Sequence, residues 1–157
     1  MISCQFENGS PAHLRHVVVH AIVEADGKLL LVLRAKSHSS EGGKWALPGG
    51  FVDRNETTQE AIVRELREET GWEADVVKLF RINSRPDRPH EDRQNIALDY
   101  LLNPLRLSGC HDDEISEVSW VPIQDLPSPE TLAFDHGDSI RQYLRYRKSV
   151  FALPLID

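Results

Sequence analysis

GFVDRNETTQEAIVRELREETGW, residues 50–72, holds the densest set of local signals in the chain, and its centre is Arg64-Glu65-Leu66-Arg67-Glu68-Glu69. An α-helix turns about 100° per residue, which brings Glu65, Glu68 and Glu69 within one arc of about 100°. Ile62, Val63 and Leu66 occupy the neighbouring arc, the pattern of a surface helix docked on a core. Thr57-Thr58-Gln59-Glu60 reads as a capping box, with Thr57 as the cap and Glu60 reaching back to it. Gly71 is a stop that tolerates the left-handed conformation, and Trp72 packs back on the last turn. Like charges three and four residues apart repel and weaken an isolated helix. One reading of the glutamates is a solvated acidic face; the other is an ion site.

The flanking chain favours the ion site. Glu56 falls just outside the helix, on the loop that enters it. Before that loop, Leu47-Pro48-Gly49-Gly50 provides backbone without Cβ atoms, free to turn its carbonyls toward a ligand. Loop and helix together bring carboxylates and carbonyl oxygens to one point. Hard oxygen donors grouped in this way suit Mg²⁺, which keeps several waters and is usually shared with substrate phosphates.

Gly50, Glu56, Arg64, Glu65, Leu66, Glu68, Glu69, Gly71 and Trp72 fit G-x5-E-x7-R-E-U-x-E-E-x-G-U, where U is bulky and apolar. This pattern resembles the signature of the Nudix hydrolases at every position. Seven fixed residues at average usage make a chance match of roughly 10⁻⁹ per starting residue. The resemblance implies an α/β/α sandwich with a mixed β-sheet between helices. It extends over residues 17–144 and is specific over residues 49–72. It also implies hydrolysis of a nucleoside diphosphate linked to another group, with Mg²⁺ or Mn²⁺ as cofactor. Carried over by resemblance, Glu65, Glu68 and Glu69 match the metal ligands and Gly49 the position that gives a backbone carbonyl. Arg64 matches an arginine that orients a glutamate by salt bridge, and Glu56 a carboxylate that supports the metal site.

The whole chain agrees with such a protein. Its 157 residues, 40% hydrophobic and 27% charged, suffice for one domain with a proper core, expected over residues 1–157. Lys plus Arg number 18 against 25 for Asp plus Glu, a net charge of −7 that suits a nucleic-acid polymer poorly as partner. A small polyanionic nucleotide needs local cations instead: a metal and a few arginines. The N-terminus shows no apolar run of a signal peptide, and no stretch approaches a membrane span. Cys4 and Cys110 are too few and too far apart for a disulfide framework or a zinc site. A cytoplasmic setting is therefore the expectation, and a homodimer is left open.

In order, residues 1–14 read as an arm or a short edge strand. Residues 15–25 (RHVVVHAIVEA) and 28–33 (KLLLVL) read as strands joined by the Asp26-Gly27 hairpin turn. A polar loop follows over residues 34–44, then a short strand over residues 45–52. Further strands are expected at residues 74–82, 94–102 and 114–121, and a short helix at residues 122–129 between prolines. A last helix over residues 135–148 is acidic at its start and basic at its end, matching its dipole.

Outside the box, several positions compete for roles. The general base is either a box glutamate, Glu68 or Glu69, or a carboxylate from a distant loop, with Glu114 first and Glu91 or Asp92 behind it. The polar connection at residues 83–93 carries Arg85, Arg88 and Arg93, whose guanidiniums suit phosphates; the alternative is a solvated loop. Ala133-Phe134-Asp135-His136 resembles a segment of Nudix members that handle ADP-ribose, with His136 stacking on or bonding to adenosine. The plainer reading makes His136 a residue beside the helix cap Asp135. Together these favour ADP-ribose or a similar nucleotide sugar. The alternatives are a house-cleaning (d)NTP hydrolase and a non-catalytic ADP-ribose sensor, which the intact box and the absence of room for a DNA-binding domain disfavour.

Overall fold

A computed structural model describes residues 2–37, 41–88 and 94–157. Strands β1 (Ile2–Gln5) and β2 (Pro11–Leu14) pair antiparallel with each other as a separate two-stranded sheet, where the sequence suggests an arm or an edge strand. Strands β3 (Val17–Ala25) and β4 (Lys28–Arg34) form the expected hairpin. Both its turn residues, Asp26 and Gly27, have positive φ (49° and 72°), as a two-residue loop matched to strand twist requires.

The single strand expected at residues 45–52 is two, β5 (Trp45–Ala46) and β6 (Gly49–Phe51). Pro48 has no N–H for a ladder, and the chain changes partner around it, from β4 to β3. Helix α1 (Thr58–Thr70) leads into β7 (Trp72–Asn83) and β8 (Ile96–Leu107), which run longer than their local sequence suggests because they pair antiparallel over most of their length. Strand β9 (Ile115–Pro122) pairs with β4. The short helix expected between prolines is a single 3₁₀ turn, Ile123–Asp125. Helix α2 (His136–Lys148) and β10 (Leu155–Ile156), parallel to β7, end the chain.

Among the described residues the main sheet runs β10-β7-β8-β3-β4-β5, with β6 also on β3 and β9 also on β4. The β3–β8 pair is parallel, so the sheet is mixed. Alternation along a strand sends successive side chains to opposite faces. Val19, Ala21 and Val23 pack with Ala61, Ile62 and Leu66 of α1, whereas Ile22 packs with Phe80 and with Ile140 of α2. The sheet therefore lies between the two helices, the α/β/α sandwich expected from the sequence.

Candidate active site

The glutamate helix is built as its local sequence dictates. Thr57 Oγ1 accepts from the Glu60 N–H at 3.2 Å, and Glu60 Oε2 accepts from the Thr57 N–H at 2.7 Å. At the other end Gly71 adopts φ 73°, and a Cβ there would lie 2.3 Å from the Gly109 carbonyl oxygen. Handedness and close approach both demand glycine.

Arg64 gathers the acidic arc. Its Nε and one terminal nitrogen donate to the two Glu56 oxygens at 3.0 and 2.7 Å. The other terminal nitrogen donates to Glu65 at 2.9 Å and Glu68 at 3.0 Å, and a further bond reaches the Phe51 carbonyl. These bonds, led by those from Glu56, reinforce the charge on Arg64. Arg64 in turn, with the Asp53 N–H, holds the Glu56 carboxyl below its usual range.

The two neighbouring glycines admit the other carboxylates. A Cβ on Gly50 would meet the Glu65 carboxylate at 2.5 Å, and one on Gly49 would meet the Val19 carbonyl at 2.0 Å. The Gly49 N–H donates to Glu69 Oε2 at 2.8 Å. Glu69 is 5% exposed. Burial pushes its carboxyl up to about 8, the Gly49 N–H opposes this, and the Glu65 and Asp112 charges add to it. Burial likewise raises Glu65 against the pull of Arg64. Glu68 stays more open to solvent.

Glu65, Glu68, Glu69, Gly49, Glu114, Arg88 and His136 all line one pocket of about 520 Å³. Glu56 and Arg64 act from behind it through the ion pair. Arg85 is exposed, pairs with Asp87 at 3.1 Å and is not among the lining residues. Arg93, Glu91 and Asp92 lie outside the described residues.

The pocket also takes His20, Arg34, Asn95 and Asp112, to which the sequence assigns no role, and the ring of Phe134 from the segment before α2. Asp112 comes from the turn before β9, where its N–H donates to the Glu68 carbonyl at 3.0 Å and its Oδ1 accepts from the Glu114 N–H. Asn95 is 6% exposed, and its Oδ1 is buried without a hydrogen-bond partner among the described residues. A polar residue inside the apolar run of residues 17–23 is the signal for His20; Asn95 and Asp112 carry none.

Asp135 does not cap α2 with its side chain. Its carboxylate instead accepts from Arg88 at 2.6 and 2.9 Å and from Asn83 at 2.7 Å. A guanidinium fork outcompetes a single backbone N–H for a buried carboxylate. Burial pushes the Asp135 carboxyl up, but the Arg88 hydrogen bonds and charge overcome this and hold it below the usual range. His136 is held well below its ordinary value, mainly by burial, and so is neutral. Between them and the buried Ala133, Phe134 adopts φ 52°, a conformation that costs an aromatic residue about 1–3 kcal/mol. The Ala133 N–H bond to the Trp45 carbonyl and the ties of Asp135 and His136 enforce it. The Arg34 guanidinium lies 5.3 Å from the centroid of the Phe134 ring.

Among the described residues no three His, Cys, Asp or Glu side chains are already gathered as a metal cage. The donor set nonetheless fits a hard divalent cation. Glu65 and Glu69 present oxygen donors whose carboxyls burial and neighbouring carboxylates push up, and a cation at that point would reverse both effects.

A family model for the NUDIX domain matches residues 13–143. The ADP-ribose pyrophosphatase of Methanocaldococcus jannaschii is 37% identical over 131 residues, which cover 83% of this chain and 74% of that protein. The CTP pyrophosphohydrolase of Escherichia coli is 51% identical over 68 residues, covering 43% of this chain and 50% of that protein. The crystal structure of a NUDIX hydrolase from Nitrosomonas europaea superposes with a TM-score of 0.80 at 24% identity, covering 99% of this chain and 91% of that one. No helix among the described residues is long and apolar enough to cross a membrane.

Proposed function

The chain belongs to the Nudix hydrolase family, enzymes that act on nucleoside diphosphate derivatives, and we propose that its substrate is ADP-ribose or a similar nucleotide sugar, split at the pyrophosphate. The observation that carries this reading is a half-buried Glu65 carboxylate packed against Gly50 beside a buried Glu69 carboxylate held by the Gly49 N–H, both in a pocket of about 520 Å³. The carbonyl of Gly49 and the carboxylates of Glu65, Glu68 and Glu69 would hold Mg²⁺ or Mn²⁺. Bound there, such an ion neutralises the pyrophosphate oxygens and makes a water more acidic.

The chain's own residues prepare that site. Arg64 orients Glu65 and Glu68 and is itself fixed by the two-point pair with Glu56. Glu114 serves as general base. It lines the pocket from another element, its backbone is tied at both N–H and carbonyl, and its side chain is outside the Arg64 clamp. The Asn95 amide and the Phe134 ring, with Arg88 behind them, offer the nucleoside half a polar and an aromatic contact. The similarity to the M. jannaschii enzyme favours ADP-ribose, while that to the E. coli enzyme supports a nucleoside triphosphate as the second reading.

The test is a panel of ADP-ribose, other nucleotide sugars and (d)NTPs assayed with Mg²⁺ and product identification. ADP-ribose should show the highest kcat/KM and yield AMP and a sugar phosphate. A better (d)NTP substrate would replace the assignment by the second reading. Calorimetric binding of ADP-ribose without turnover would identify a sensor. Glu68→Gln should lower kcat by about 2–4 orders of magnitude with an unchanged melting temperature.

A further inference from the structure

One row of register neighbours across the sheet is polar where its surroundings are apolar. Gly49 of β6 stands opposite His20 of β3, His20 beside Asp99 of β8, and Asp99 opposite Arg81 of β7. His20, Asp99 and Arg81 are 7%, 1% and 4% exposed, so each needs a partner inside the protein. They find one another, together with two residues of α2. His20 Nδ1 lies 2.9 Å from Asp99 Oδ1, and the Ser139 hydroxyl donates to Asp99 Oδ2 at 2.6 Å. An Arg81 N–H donates to Ser139 Oγ at 3.0 Å. On the other side His20 Nε2 lies 3.3 Å from His136 Nε2, and His136 Nδ1 receives the Leu47 N–H at 3.0 Å.

The last bond determines every proton in the row. Because Leu47 donates to it, His136 Nδ1 carries a lone pair, so its Nε2 carries the proton. His20 Nε2 must then accept, which leaves the His20 proton on Nδ1, facing Asp99. The row therefore points one way, from the Leu47 N–H to the Asp99 carboxylate. Neither imidazole keeps a nitrogen for a substrate, so His136 contributes no hydrogen bond to a bound nucleoside. Leu47 is two residues before Gly49, and Pro48 between them accepts from the Ala21 N–H at 2.8 Å. What sets His136 thus also sets the turn that presents Gly49 to Glu69.

We infer that Asp99, acting through His20 and His136, is a positioning residue that fixes the His136 tautomer and with it the Leu47-Pro48-Gly49 turn of the metal site. This rests on the reading of Gly49, Glu65, Glu68 and Glu69 as that site. The protons can be located in the wild-type protein without a metal, from the imidazole ¹⁵N spectrum. His20 should be protonated at Nδ1 and His136 at Nε2; the opposite tautomer of either overturns the inference.

The link to the turn is read from Mn²⁺ affinity by electron paramagnetic resonance, with no turnover involved. His136→Asn keeps an acceptor where Nδ1 stands and should bind Mn²⁺ within about twofold of wild type. His136→Gln places its amide near Nε2 instead, and Asp99→Leu removes the acceptor of the row. Both should weaken Mn²⁺ binding by about 10-fold or more, the scale of losing an outer partner of a metal site. Equal affinity in wild type, His136→Gln and His136→Asn overturns the inference alone. Failure of wild type to bind Mn²⁺ would overturn the metal site first and the inference with it.

Discussion

At the scale of single residues, the site combines side chains that are fully committed with one that is not. Arg64 spends its guanidinium on Glu56, Glu65, Glu68 and the Phe51 carbonyl, and Glu69 is tied to Gly49. Asn95 is the contrast, with a buried Oδ1 that no group among the described residues satisfies. Leaving such an atom unpaired costs about 1–3 kcal/mol, which substrate binding would recover. Asn95→Ala should therefore raise KM for the preferred nucleotide by about 3–10-fold, the worth of one hydrogen bond, with kcat unchanged and the melting temperature held or raised. A fall in melting temperature at constant KM would make Asn95 a structural residue instead. Local sequence could announce Arg64 and the glutamates because one helix turn sets their geometry. It could not announce Asn95, whose significance is a missing partner in a pocket assembled from distant strands.

At the scale of elements, the loop after β7 is held to the start of α2 by the Arg88–Asp135 pair, whose side chains are 3% and 5% exposed. Removing one member of a buried pair typically costs about 3–5 kcal/mol, and Arg88→Ala should cost that much in denaturant unfolding. The contribution of Asp135 to the pH dependence should also change sign. In the wild type the Asp135 carboxyl lies below its unfolded value of about 3.9, so the pair's contribution is complete above that pH and disappears as pH falls through the lower folded value. In Arg88→Ala burial dominates and raises the folded value above the unfolded one. That variant should gain more stability than the wild type as pH falls toward 4, because the raised carboxyls of Glu65 and Glu69 act alike in both proteins and the Asp135 difference remains. Parallel stability profiles of the two proteins between pH 7 and 4 would contradict this account of the pair.

These elements also show what sequence could and could not convey. The capping box, the Gly71 stop and the Asp26-Gly27 turn are local signals, and each appears where the sequence places it. Asp135 carries the same kind of signal as a cap, but Arg88, distant in sequence and close in space, takes its carboxylate. The parallel register that sets His20 beside Asp99 joins residues 79 positions apart, and no local pattern encodes it. The sequence suggests one strand through Pro48; proline chemistry explains the break there, and the change of partner from β4 to β3 has no local signal.

At the scale of the whole molecule, a chain of net charge −7 gathers Glu65, Glu68, Glu69, Asp112 and Glu114 around one pocket and still has to receive a polyanion. Arg34 and Arg88 line the same pocket, but Arg88 is occupied with Asp135 and Arg34 lies over Phe134. Under the proposed function a divalent cation would offset the repulsion between pyrophosphate and carboxylates, so the proposal stands or falls on metal dependence. The most direct measurement is ³¹P NMR of ADP-ribose with the protein, in Mg²⁺ and again after excess EDTA. ADP-ribose should be converted to AMP and a sugar phosphate in Mg²⁺ and remain unchanged in EDTA; undiminished hydrolysis in EDTA would mean that the pocket works without a metal.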